Sequence, residues 1–216
     1  MIVGHYGATF ACKSTAHALP LWLLFLAVQF VDILWCIFIL LGIEKARLVN
    51  RTLDLYYMPY THSLAGALLW SALAGVTYLV IARKIGKQAA TLAFFLGLAV
   101  FSHWILDLLV HHPDLPLYDN AHKVGLGLYN YPVAEFALEV AVLAMGIGLY
   151  LRSTSGPGLV RKYAFGLFGL GLLALQWTLF VVGPPLAPKG IAVILLILYF
   201  VFAATAAWLE RLERLG

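Results

Sequence analysis

Charged side chains are scarce in this chain of 216 residues. Asp, Glu, Lys and Arg make up 11% of it, where a soluble domain carries about 25%. There is too little polar surface to coat a water-soluble globule. Cysteine is nearly absent as well. Cys12 and Cys36 are too few for a disulfide framework, and Cys36 falls in an apolar run, so both read as free thiols acting as small hydrophobes. No basic tract is present. The net charge of +4 is scattered over short loops, which argues against nucleic-acid binding and matches the scatter that membrane topology imposes. No cleavable signal sequence is expected, because the apolar run after Pro20 is too long for an h-region and no A-x-A site follows it. There is no internal repeat and no linker long enough to separate two domains, so 1–216 is read as a single transmembrane domain.

What the chain does have is apolar sequence, 63% of its residues. A bilayer core of about 30 Å needs roughly 20 apolar residues of helix. Six stretches qualify: 20–43, 61–82, 88–110, 130–151, 163–183 and 190–209. The expected fold is an all-α integral membrane protein, a bundle of about six transmembrane helices. Residues 1–19 do not qualify as a span and read as an interfacial or re-entrant segment. Six spans would put both termini on one face. That face would hold Lys13, Arg83, Lys84, Lys87, Arg152, Arg161, Lys162, Arg211 and Arg214, against Lys45, Arg47, Arg51, Lys123 and Lys189 on the other. The excess of positive charge places both termini in the cytoplasm, and the expected location is a bacterial inner membrane.

Four carboxylates interrupt the apolar runs, and no Lys or Arg accompanies them. Asp32 sits near the middle of the first span. Asp107 lies on the third, four residues after His103, and Glu135 and Glu139 lie four apart on the fourth. His62 opens the second span. Burying an unpaired carboxylate is costly, and ionisable groups inside a membrane usually mark function. A bound metal, an internal proton or a water-filled cavity would be needed to compensate. Residues i and i+4 share a helix face, so His103 and Asp107 can grip one ion from one rigid helix. His111 continues along that face, with His112 and Asp114 beyond it. A His/Asp/Glu set without cysteine suits zinc, manganese or iron at a hydrolytic site.

Each residue alone has an ordinary reading beside this one. His62 could cap its helix, and His103 could hydrogen-bond a neighbouring helix. His17, His111, His112 and His122 read as loop or interface residues. Glu139 could face a polar cavity without ligating anything. Spans five and six, with Gln176 as their main polar group, read as apolar support.

Taken in order, Gly4-His5, Asp32, Thr61-His62-Ser63, Ser102-His103-x-x-x-Asp107 and Glu135 resemble the YdjM-type membrane-bound metal-dependent hydrolases. That family is in turn remotely similar to the zinc-dependent phospholipase C and nuclease P1 group. The resemblance covers about residues 4–140. It implies metal-ligand roles for His5, Asp32, His62, His103 and Asp107, with Glu135 a further ligand candidate. It also requires the N-terminal segment to dip into the bundle. The chain departs from the pattern in two places. Leu34 stands where the family often has a second Asp, and Tyr57-Met58-Pro59 stands where it often has His-Arg-Gly.

The leading expectation is therefore a membrane-embedded hydrolase using a divalent metal, zinc first and manganese or iron next. Its substrate would be a lipid or lipid-linked ester or phosphoester. Glu135 or Glu139 would be the general base or the last ligand. The alternatives are a proton- or metal-ion-coupled transporter and a non-catalytic scaffold with a structural metal. The sequence leaves the oligomeric state open, since Gly-rich helix faces pack within a chain or between chains.

Overall fold

The computed structural model describes residues 1–49, 52–86, 88–153, 159–182 and 187–215. Arg51 and Lys87, the side chains of Arg161, Lys162 and Arg214, and parts of the 152–162 and 184–189 connections lie outside this description. The described chain runs α1 (His5–Lys13), α2 (Leu21–Val28), α3 (Phe30–Leu41), a hairpin of β1 (Lys45–Val49) and β2 (Thr52–Tyr57), α4 (Leu64–Ala82), α5 (Gln88–Val110), α6 (Pro132–Ser153), α7 (Leu159–Val182) and α8 (Pro188–Leu215).

Four helices are long and apolar enough to cross a membrane: Leu64–Ile85, Gln88–Val110, Pro132–Ser153 and Pro188–Leu212. This makes the chain a helical membrane protein, with four of the six expected spans found among the described residues. The stretch 20–43 is not one straight helix. It breaks at Gln29 into α2 and α3, bent by 54°, and counts as a fifth span only if the bent pair is taken together. The expected fifth span, 163–183, falls within α7 (Leu159–Val182), and Tyr163–Thr178 is its apolar part among the described side chains.

The break has a tertiary cause, since no Pro or Gly interrupts residues 21–41. Gln29 leaves helical geometry (φ −101°, ψ 7°) and its side-chain amide donates to the Ile2 carbonyl at 2.9 Å. Asp32 thereby falls in the first turn of α3. At the far end of α3, Gly42 takes the left-handed conformation (φ 74°) that closes a helix.

The polar segment 44–60 departs from an all-α description by folding into the β1–β2 hairpin. Its Leu53-Asp54-Leu55 alternation puts Leu55 in the core while Asp54 faces outward to Arg47 at 2.7 Å. The loop 111–127 docks beside it: Lys123 Nζ donates to the Tyr56 carbonyl, and Leu115 pairs with Val124. The Pro116 and Leu117 carbonyls accept from the Leu64 and Ala65 amides, satisfying donors that the first turn of α4 leaves open.

α1 is neither interfacial nor exposed. It runs inside the bundle against α6, α2 and α5, from the level of Asp107 at Met1 down to Lys13, whose ammonium bonds Glu210 at 2.6 Å. Glu210 lies near the end of α8 remote from β1, so Met1 is not on the face that Lys13 marks. Gly7 and Gly146 let α1 and α6 touch backbone to backbone: a Cβ on Gly146 would run into the Gly7 carbonyl, and one on Gly7 into the Val142 carbonyl.

Gly146→Ala is expected to destabilise the detergent-solubilised protein by about 1–3 kcal/mol, because the helices must separate. Gly148→Ala, with nothing within 4 Å of its new methyl, is expected to be neutral or to gain up to about 1 kcal/mol from helix propensity. Thermal unfolding of the two variants side by side checks this; equal melting temperatures would contradict the crossing.

Candidate metal centre

Two carboxylates define the centre. Asp107, on the last turn but one of α5, is 2% exposed on its side chain. Its Oδ1 lies 3.0 Å from the Met1 amino nitrogen and 3.2 Å from His5 Nε2. Its Oδ2 lies 3.1 Å from His103 Nε2, and 3.7 Å from both His62 Nε2 and His111 Nε2. Asp32 approaches from α3. Its Oδ1 is 3.2 Å from His62 Nε2 and 3.5 Å from His103 Nε2, and its Oδ2 accepts from the Tyr199 hydroxyl at 2.7 Å. His5 stacks on His103 with ring centres 3.9 Å apart and planes within 7°.

Three of the imidazoles are held from behind. The Val28 carbonyl, at the end of α2, lies 2.7 Å from His103 Nδ1. A carbonyl only accepts, so Nδ1 carries a proton, and Nε2, which faces the two carboxylates, is the nitrogen left to ligate a metal. The Asp114 carboxylate, 3.0 Å from His111 Nδ1, fixes His111 in the same sense. His62 Nδ1 lies 2.8 Å from the Thr61 hydroxyl. Metal-binding histidines are anchored in this way, one nitrogen bonded outward so that the other can ligate.

Two overlapping sets could hold a divalent ion: His5, His103 and Asp107, and Asp32, His62 and His103, with the ligand atoms of each within 4.8 Å of one another. The fit is supported by three buried atoms, His5 Nδ1 and Nε2 and His103 Nε2, that have no hydrogen-bond partner. It is supported also by charge: the ion pairs of Asp32 and Asp107 among the described residues are with histidines and the Met1 amino group, never with Lys or Arg.

The fold thus brings together His5, Asp32, His62, His103 and Asp107, and adds His111. His112 packs its ring 6.2 Å from that of Tyr129, and His17 and His122 are exposed. Glu139 is buried but engaged elsewhere. Its two oxygens accept from the Ile2, Val3 and Gly4 amides and from Gln176 Nε2. It is the clasp that holds the N-terminal segment so that His5 reaches the centre. Glu135, buried in the first turn of α6, lies one turn before it. Sequence reasoning missed Tyr199 and Tyr129, whose hydroxyls meet Asp32 and the Met1 amino group. Both lie in apolar or aromatic surroundings where a Tyr reads as core or interface. Helix α8, expected as inert support, therefore reaches the centre through Tyr199, and α7 reaches the Glu139 clasp through Gln176.

Glu139→Ala removes the acceptor for three backbone amides, each costing on the order of 1–3 kcal/mol if left buried and unpaired. The expected result is loss of hydrogen-exchange protection at Val3 and Gly4, with α5 protection retained. Unchanged protection at both amides would show that Glu139 does not hold the segment.

No protein-family model, curated protein or solved structure matches the chain.

Proposed function

We propose that the chain is a membrane-embedded metal-dependent hydrolase of the YdjM type, acting on a lipid or lipid-linked ester or phosphoester. The observation that carries the reading is the inward convergence of histidine Nε2 atoms on the buried Asp32–Asp107 pair with no Lys or Arg to neutralise it. Zinc suits this nitrogen- and oxygen-donor set best, with manganese or iron as alternatives. Bound there, the ion would supply Lewis-acid polarisation of a phosphoryl or carbonyl oxygen and a water of lowered pKa.

The remaining chemistry falls to the chain's own groups. His103 and Asp107 present two donors from one rigid helix face. Asp32, held by Tyr199, presents a third from the opposite side. Its side chain is 14% exposed where the imidazoles of His5, His62 and His103 are at most 2% exposed, so it marks the side open to substrate. Glu135, in the first turn of α6, is the carboxylate left to take a proton from the attacking water, since Glu139 is saturated. Depth supports a lipid substrate. His103 lies seven residues before the end of α5, about 10 Å at 1.5 Å per residue, and Asp107 and His62 lie closer still to the helix ends. That is the level of headgroups and the first part of the acyl chains. The charge distribution puts this end toward the outer leaflet of a bacterial inner membrane.

Purified wild-type protein is expected to carry a divalent metal by elemental mass spectrometry and to hydrolyse members of a panel of phospholipid vesicles. His103→Ala and Asp107→Ala are expected to lose both. Stoichiometric metal retained in both variants would sink the proposal, and metal uptake into proteoliposomes without hydrolysis would replace it with transport.

A further inference from the structure

Glu44 is a second buried acid that the centre described above does not use. It is 1% exposed, sits between α3 and β1, and has no contact with the metal-binding sets. Its neighbour Lys45 turns to the Tyr57 ring instead, 5.8 Å from the ring centre. Glu44 Oε1 accepts the backbone amides of Tyr60 and Thr61 at 2.9 and 3.0 Å. Its Oε2 accepts the Thr61 hydroxyl at 2.6 Å. That hydroxyl, 0% exposed with its residue, lies 2.8 Å from His62 Nδ1.

The direction of the last bond follows from the inventory of protons. A hydroxyl has one hydrogen. At 2.6 Å from a carboxylate it gives that hydrogen to Glu44. Toward His62 it can then only accept, so Nδ1 carries a ring proton and Nε2 is the nitrogen left to ligate a metal; without one, Nε2 is hydrogen-bonded to Asp32 Oδ1 at 3.2 Å. Nε2 is the atom aimed at Asp32 Oδ1 and Asp107 Oδ2. The ring is further fixed by the Trp104 indole, which donates to the His62 carbonyl at 2.9 Å, and by Trp35, packed edge-to-face 6.5 Å away.

We propose that Glu44 and Thr61 are positioning residues that act on the centre through His62: a carboxylate–hydroxyl–imidazole chain that sets the His62 tautomer so that its Nε2 lone pair faces the metal. The proposal deepens the metal reading, and only one arm of its test rests on that reading. It also gives a polar reason for Thr61 where helix capping gives none, since Ser63 already caps α4 by accepting from Gly66.

The polarity of the chain can be reversed. In Glu44→Gln, the two backbone amides at Oε1 still need an acceptor, so the amide oxygen stays there. The amide nitrogen then faces Thr61 and donates to it. The Thr61 hydrogen is freed to donate to His62 Nδ1, and the ring proton moves to Nε2. A purely structural Glu44 would leave the tautomer unchanged, because the two backbone bonds survive.

The test is nitrogen-15 spectroscopy of labelled, metal-free protein at one fixed pH, with His62 identified by the signal missing from His62→Gln. Wild type and Thr61→Ser are expected to carry a proton on His62 Nδ1, and Glu44→Gln a bare Nδ1 with the ring proton on Nε2. A bare Nδ1 in wild type, or a protonated Nδ1 in Glu44→Gln, overturns the proposal. The second arm uses Thr61→Val, which keeps the shape and both backbone bonds to Glu44. Its zinc affinity is expected to fall 10–100-fold, the usual loss when an outer partner of a ligand is removed, with Thr61→Ser restoring it. If wild type binds zinc and Thr61→Val binds it equally well, the proposal is overturned. If wild type binds no zinc, the metal reading fails while the tautomer arm still decides the relay.

Discussion

Two carboxylates in a low-dielectric interior set the terms for everything around them. Taking an ion out of water costs several kcal/mol even after relaxation, and only close, well-directed partners offset that. Asp107 gathers four imidazoles and an ammonium group, and Asp32 gathers two imidazoles and a phenol. Those partners come from α1, α3, the start of α4, α5, the loop after it and α8. The elements meet at this point because each contributes a group that the carboxylates require.

Meeting that requirement distorts an otherwise regular bundle. The α2–α3 break gives up helical hydrogen bonding at membrane depth, which lipid-exposed backbone could not tolerate. Here the site absorbs the loss. The end of α2 offers the Val28 carbonyl to His103, and Gln29 reaches the N-terminal segment. The same logic holds for residues 2–4, whose amides would be orphaned without the Glu139 carboxylate. Polar groups that look misplaced in apolar helices are each the partner of another such group.

How much of this the sequence discloses depends on the physical signal. The spans at α4, α5, α6 and α8 were legible within a few residues, because hydropathy over 20 residues reports length directly. The bend at Gln29 was not, because its cause lies in partners far away along the chain. Nor was the hairpin, whose alternation is only a few residues long. The place of Asp32, His62, His103 and Asp107 was legible because a charge or imidazole in an apolar run has few innocent explanations; His111, on the same helix face, read as a loop or interface residue. His5 was reached through resemblance alone. Tyr199 gave no signal, since a Tyr among Leu, Ile and Phe looks like packing until its hydroxyl is seen. Glu44 hid among the loop charges.

The backbone contact between Gly7 and Gly146 bears on how the protein is made. Helix α1 rests against one that follows it by more than a hundred residues. At 5–20 residues per second, the interval is on the order of 10 s. During that time α1 has no Glu139 to clasp it and no α6 to lie on, and it is too short to lodge across a bilayer alone. Insertion of the later helices must therefore precede its final docking. His5, made before the other ligands of the centre, is among the last to take its place, so the centre is completed from outside the finished bundle inward, with time for a cation to enter before that door is shut.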